Sequence, residues 1–223
     1  MYNRSTIVTP PCTIVLIQRV HLNNQYIPIL YKGVDYIKTY TIIGGVNGTG
    51  KSSLTGVLRA KTSDLGQIID VDKLTVSMGG DKYAAGKKAV EKIRECLNKG
   101  YSFTQETTLS GIRGEATAKT AKERGYYIRL YYIGLNSAED SLERIANRVR
   151  RGGHDIPAET VRKRFTGRWD ALLKVLPYCD EATFFDNNNG FVEVASYQNG
   201  ELTLLTQTPP VWVKELQEKL SAE

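Results

Sequence analysis

Hydrophobic and polar positions change period several times along the chain, and each change marks an element. Thr39–Ile43 is a short run of β-branched and aromatic residues, the pattern of a buried strand. A glycine-rich turn follows it, and Ser52–Arg59 is predicted to be a helix. Gln67–Val71 is a second apolar run, ending in acids. Over Asp81–Asn98, Ala85, Ala89, Ile93 and Leu97 recur near one helical face, and Gly100 just beyond is a stop signal. Tyr101–Gln105 reads as a third strand, Arg113–Arg124 as a helix ending at Gly125, and Tyr126–Ile133 as a fourth strand. Ser137, with Asp140 three residues on, has the pattern of a capping box opening a helix that runs to Gly152-Gly153. Pro157 suits the first turn of the next helix. Ala182–Phe185 is a fifth strand. In the tail, Phe191–Tyr197 and Glu201–Thr206 flank Asn199-Gly200, a hairpin dipeptide, and Val211–Leu220 is a short amphipathic helix. The pattern is weakest before Thr39, where Thr13–Val20 and Tyr26–Tyr31 could be short strands.

Strands alternating with helices predict an α/β fold, a parallel sheet covered by helices on both faces. The expected organisation is an N-terminal extension over 1–38, a core over 39–188, and a C-terminal hairpin and helix over 189–223 packed on that core. Ligands in such sheets bind at the carboxyl ends of the strands. This brings Gly44–Ser52, Asp70–Asp72, Glu106–Ser110 and the segment after Ile133 to one rim. The 223 residues suffice for one such domain, and 41% hydrophobic with 24% charged residues excludes a disordered chain. No apolar run approaches the roughly 20 residues that span a bilayer. Cys12–Ile17 is too short and lacks the flanks of a signal peptide, so a soluble cytoplasmic protein is expected. Cys12, Cys96 and Cys179 form neither a zinc pattern nor a disulfide framework.

The strongest chemical signal is Gly45-Val46-Asn47-Gly48-Thr49-Gly50-Lys51-Ser52, which fits Gly-x-x-x-x-Gly-Lys-Ser/Thr in full and lies between a predicted strand and a predicted helix. A glycine-rich turn aims successive backbone N–H groups at phosphate oxygens without Cβ clashes. The helix start adds its positive dipole end. Lys51 would reach the β- and γ-phosphates of ATP, and the Ser52 hydroxyl would serve Mg²⁺, with Asn47, Thr49 and Ser53 completing the nucleotide cradle.

Carboxylates on the neighbouring strands supply the rest. A kinase needs a base to orient and deprotonate an acceptor hydroxyl, and Asp70 or Asp72, after the second strand, could serve. Glu106 could hold substrate or a water on the metal, with Thr107, Thr108 and Ser110 binding polar groups. Between Arg144 and Arg168 stand eight Arg or Lys against two acids, Asp155 and Glu159, so this stretch carries the chain's whole net charge of +6. Arg144, Arg148 and Arg151, at spacings of four and three, share a helical face. With Arg162 and Arg164 they form an arginine-rich flap that could close on ATP and stabilise charge on the transferring phosphoryl group. His154 is assigned to the flap hinge.

Together these residues resemble the zeta-toxin family of P-loop kinases over roughly Thr39 to Asn188. The marks are the phosphate loop, the acid at Asp72, Glu106-Thr-Thr-Leu-Ser-Gly, Arg148-Val-Arg-Arg-Gly-Gly-His-Asp-Ile-Pro leading to Arg164-Phe, and Phe185-Asp186-Asn187. The resemblance implies a shikimate-kinase-like core, phosphorylation of the 3′-hydroxyl of UDP-N-acetylglucosamine, and a small antitoxin partner. It makes Lys51 the phosphate ligand, Ser52 the Mg²⁺ ligand and Asp72 the base. Glu106 and Thr108 would contact substrate beside Asp70. Arg148 and Arg151 would be the first flap arginines, and Arg144 and Arg164 would support them. A nucleic-acid end kinase or repair ATPase, and a nucleotide-gated binding module without phosphotransfer, are the competing functions. Aromatic residues for base stacking are sparse in the basic stretch, only Phe165 and Trp169, which argues against nucleic acid.

Overall fold

The computed structural model describes residues 4–9, 13–22, 25–35, 37–62 and 64–222. Cys12 lies outside them. The chain separates into two compact units, Met1–Ile37 and Lys38–Glu223. In the first, β1 (Arg4–Thr9), β2 (Thr13–Leu22) and β3 (Gln25–Asp35) form an antiparallel meander, with an irregular register between Ile14 and Leu16. The strand β1 was not expected from the sequence.

The second unit is an α/β fold. Its seven-stranded sheet has the order β10-β9-β8-β7-β4-β6-β5. The five strands β4 (Thr39–Gly44), β5 (Gln67–Asp70), β6 (Phe103–Thr107), β7 (Tyr127–Gly134) and β8 (Glu181–Asp186) are parallel. The tail hairpin, β9 (Val192–Gln198) and β10 (Glu201–Leu204), extends the sheet in antiparallel fashion beside β8. Asn199 and Gly200 both have positive φ at its turn, as the dipeptide predicts.

The pleat sorts the core between two faces. Tyr40 and Ile42 of β4, Ile128, Leu130 and Tyr132 of β7, and Phe184 of β8 join the larger cluster. Ile43, Ile133 and Phe185, one residue out of phase, join Leu54 in a smaller one. Leu54 belongs to α1 (Lys51–Lys61). The larger cluster takes in Ala89, Ile93 and Cys96 of α3 (Lys82–Lys99), Ala118 and Ala121 of α4 (Arg113–Glu123), and Trp169, Leu172 and Val175 of α7 (Arg168–Val175). It also takes in Trp212, Val213 and Leu216 of α8 (Val211–Ser221). β4 is buried at all six positions, because strands flank it on both sides and apolar layers cover both faces.

Some boundaries shift for identifiable reasons. The strand expected from Tyr101 starts at Phe103, after Gly100 closes α3 in the left-handed conformation and Tyr101 returns its N–H to Cys96. The acids after the second strand open a short helix, α2 (Val71–Ser77), capped by Asp70. The capping box forms as expected at α5 (Ala138–Arg150): Ser137 Oγ accepts from Asp140 N–H at 3.0 Å, and Ser137 N–H donates to Asp140 at 3.1 Å. Pro157 stands one position earlier than expected. It caps α6 (Ala158–Thr166) from outside, because its extended ψ of 132° keeps it out of the first turn. Cys96 and Cys179 are free thiols. Among the described residues no helix is long and apolar enough to cross a membrane.

Candidate active site

The site lies at the carboxyl ends of β4, β5 and β6. After β4 the chain turns on Gly45, Gly48 and Gly50, at φ of 141°, 77° and 98°. A Cβ on Gly45 would come within 2.5 Å of the Ile133 carbonyl oxygen, and one on Gly48 within 2.8 Å of that of Ser141. The turn therefore depends on glycine both for its dihedrals and for its close approach to β7 and α5. Gly50 caps α1 without a side-chain hydrogen bond, and no acid stands in the first turn. The opening amides of an eleven-residue helix are thus left for an anion.

Hydrogen bonds brace this loop from behind. Ser141 donates its hydroxyl to the Asn47 carbonyl. Thr49 donates to Val46 O at 3.1 Å, and Asn187 Nδ2 to Thr49 O at 2.8 Å. Lys51 Nζ donates to the carbonyls of Gly45 and Val46, each at 2.9 Å, so the ammonium is folded over its own loop. Burial pushes the Lys51 pKa down to about 8. The nearby carboxylates of Asp72 and Glu106 pull it up, and the Arg164 guanidinium pushes it further down.

The carboxylates divide between two situations. Asp70 and Glu106 are paired in register at the ends of β5 and β6, and both are buried. Glu106 accepts from Ser52 Oγ at 2.6 Å and from Thr55 Oγ1 at 2.7 Å. Asp70 uses Oδ1 to cap α2 through the N–H groups of Asp72 and Lys73. Its buried Oδ2 makes no hydrogen bond and lies 3.4 Å from Lys73 Nζ, which is 3.9 Å from Glu106. Asp72, in the first turn of α2, is 60% exposed, and its Oδ2 is 3.4 Å from His154 Nε2. Asp72 is thus the exposed carboxylate of the three, while Glu106 and Asp70 are tied into the frame.

The arginines are held individually. Arg164 donates to Asn47 Oδ1 at 2.9 Å, Arg144 to Asn187 O at 2.8 Å, and Arg148 to His154 O at 2.8 Å. Arg148 Nε is buried without a partner among the described residues. A cavity of about 960 Å³ joins these parts, lined by Asn47, Gly48, Gly50, Lys51, Ser52, Ser53, Asp70, Asp72, Glu106, Thr108, Arg144, Arg148 and Arg164. Of the residues expected at the site, Gly45 and Thr49 stand in the loop without lining the cavity. Arg151 is exposed at the end of α5 and does not line it either. Thr108 is hydrogen-bonded to Ser110 at 2.7 Å, in a loop held by Leu109, a buried non-glycine residue at φ of 60°. Such a conformation is costly and is often retained at functional loops.

Sequence reasoning missed Thr55, Lys73 and Asn187 as parts of the site. Thr55, one helical turn after Ser52, shares its face, which was a readable signal. Lys73 acts through tertiary proximity alone, and Asn187 was marked by the family resemblance but without its role of holding the loop at Thr49.

The residues fit the groups that the loop implies. The uncapped amides at the start of α1 and the half-buried Lys51 suit a polyphosphate. Ser52 Oγ, the Glu106 carboxylate and the unbonded oxygen of Asp70 are hard oxygen donors suited to Mg²⁺.

Comparison with known proteins gives the kinship. No family model matches the chain. An uncharacterized protein of Haemophilus influenzae is 38% identical over 127 residues, covering 54% of this chain and 88% of that protein. The chain belongs to the family of that Haemophilus protein. Among solved structures, the AvrRxo1-ORF1:AvrRxo1-ORF2 complex with sulphate ions matches with a TM-score of 0.58 and 17% identity, over 82% of this chain and 63% of the other. This family member therefore spans less than two thirds of that chain. The same complex solved with ATP gives a TM-score of 0.56 and 19% identity, with the same coverage. The PezAT chromosomal toxin–antitoxin system of Streptococcus pneumoniae gives a TM-score of 0.54 and 18% identity, over 84% of this chain and 86% of that one. At these identities the likeness establishes a shared α/β fold.

Proposed function

We propose that the protein is a phosphotransferase of zeta-toxin type that binds ATP with Mg²⁺ and moves the γ-phosphate to an acceptor hydroxyl. The observation that carries this reading is one cavity with Lys51 and the uncapped start of α1 on one side and the exposed carboxylate of Asp72 on another. ATP supplies the phosphoryl group, and Mg²⁺ neutralises charge on the phosphate oxygens.

The chain's own residues do the rest. Backbone amides from Gly48 to Ser52 hold the phosphates, and Lys51 turns from its own carbonyls to them. Glu106 fixes the rotamer of Ser52. Asp72 accepts the hydroxyl proton as the acceptor oxygen attacks phosphorus and the bond to the bridging oxygen of ADP breaks. Arg148 and Arg164 line the path of the developing charge, with Arg144 bracing the loop beside them; Arg151 stays outside. The fold likeness to a complex solved with ATP supports the nucleotide. The likeness to a toxin–antitoxin system supports a small antitoxin partner, and UDP-N-acetylglucosamine heads the acceptors to try. A binding module without phosphotransfer would have no use for a second, acid-lined side of the cavity. Against a nucleic-acid end kinase, Arg144, Arg148 and Arg164 of the basic stretch line the cavity, while Arg150, Arg151, Arg162 and Lys163 are exposed with few aromatic residues beside them for base stacking.

The test is incubation with ATP–Mg²⁺ and a panel of sugar nucleotides, nucleosides and a 5′-hydroxyl oligonucleotide, read by mass spectrometry. A single added phosphate on a small acceptor is expected. Phosphate on the oligonucleotide alone, or none on any member, contradicts the proposal.

A further inference from the structure

The cavity does not stop at the phosphate loop. It continues between α3 and α4, over Gly86, Ala89 and Ile93 on one side and Gly114 and Thr117 on the other, to Arg94, Asn98 and Arg124. Small residues on both helices open the trough. Its length follows from helical rise: Arg113 at the rim and Arg124 at the far end are eleven residues apart, about 16 Å at 1.5 Å per residue.

Charge is segregated along this trough. Asp70, Asp72 and Glu106 stand at the catalytic end, and no acid lines the remainder. Arg94 has glutamates nearby on its own helix, but both are engaged elsewhere: Glu91 pairs with Lys88 at 3.4 Å and Glu95 with Lys99 at 2.7 Å. Arg94 makes no ion pair or hydrogen bond among the described residues. Arg124 donates only to Asn98 Oδ1, at 2.8 Å, a neutral partner that leaves its charge unbalanced. Two exposed guanidiniums that make no ion pair among the described residues, at the far end of a trough that begins at a proposed base, form a site for an anion with several oxygens.

We propose that this trough holds the acceptor, and that Arg94 and Arg124 bind a phosphate-class group on the acceptor at the end away from the reacting hydroxyl. The role of the near end rests on the phosphotransfer reading; the anion site rests on the trough itself. The acceptor class is then an elongated phosphorylated molecule, and short neutral alcohols are poor substrates because they leave the far end unfilled.

The test is calorimetric titration with pyrophosphate in a Lys51→Ala background, which weakens the competing phosphate loop. Adding Arg94→Gln and Arg124→Gln should weaken pyrophosphate binding at least tenfold. Both side chains are exposed, and circular dichroism should show an unchanged fold. Unchanged affinity in the triple variant overturns the anion site. Citrate binding as tightly as pyrophosphate overturns the phosphate assignment. Loss of pyrophosphate binding in the triple variant, with no phosphotransfer by the wild-type protein, would leave the anion site standing and remove the kinase reading, so the two failures are separable.

Discussion

Lys51 is the residue whose charge the proposed chemistry needs and whose surroundings oppose it. In the fold its pKa is lowered to about 8, chiefly by burial. Below that value the folded protein carries the charge and the desolvation penalty with it. From about 8 up to the usual lysine value the unfolded chain still holds the proton while the folded one has lost it, so the penalty is relieved and this group's contribution to stability rises with pH. Binding runs the other way, because only the ammonium attracts phosphate. ATP affinity, measured by calorimetry from pH 7 to 9.5, should be flat below pH 8 and then fall, approaching tenfold per pH unit. In Lys51→Ala it should be weaker throughout, with no such break; the same break in that variant would assign the titration to another group. The phosphate loop was legible in the sequence because its chemistry is local: eight consecutive residues carry both the turn and the donors. The tie from Glu106 to Ser52 and Thr55 was not, because it spans more than fifty positions and exists only once β6 lies beside β4. Sequence reasoning offered Glu106 as a substrate or metal-water ligand; its hydrogen bonds to Ser52 and Thr55 add a bracing role on the loop.

At the scale of elements, the tail helix α8 reaches the site through Trp212. Trp212 is fully buried, and a Cβ on Gly134 at the end of β7 would lie within 2.3 Å of its ring. Trp212 Nε1 donates to Asp186 at 3.2 Å. Asp186 precedes Asn187, which holds the phosphate loop at Thr49. Trp212→Ala should cost about 3–5 kcal/mol of stability, as for large buried aromatic truncations, read from urea unfolding. A loss below about 1 kcal/mol would mean that α8 is not packed as described. Elements with strong periodicity or caps were readable from sequence: α3 from its apolar face, α5 from its capping box, the hairpin from Asn199-Gly200. The helix α2 was not, because it is only seven residues long and just Val71 and Leu74 lean on the core, too short a stripe to read as a period. For α7 the signal was present, since Trp169, Leu172 and Val175 recur at intervals of three, but it lies at the edge of the basic stretch that dominates the local composition.

At the scale of the molecule, the sheet order places β4 between β6 and β7, with α1 on one face and α3, α4, α7 and α8 on the other. The crevice where the chain's path reverses lies at the carboxyl end of β4, where the phosphate loop sits. Parallel strands alternating with helices could be inferred from sequence. The order of the strands could not, because it depends on which crossovers pack, and the trough between α3 and α4 appears only when the small faces of both helices are set side by side. The whole account requires that Asp72 act on an acceptor while Lys51 and its loop hold the nucleotide. Single-turnover transfer of labelled γ-phosphate from ATP–Mg²⁺ to acceptor, run on wild type and Asp72→Asn with ATP affinity measured alongside, tests this most directly. The expected result is a rate lower by about 10²–10⁴-fold in Asp72→Asn at nearly unchanged ATP affinity. Transfer at close to the wild-type rate in Asp72→Asn would contradict it.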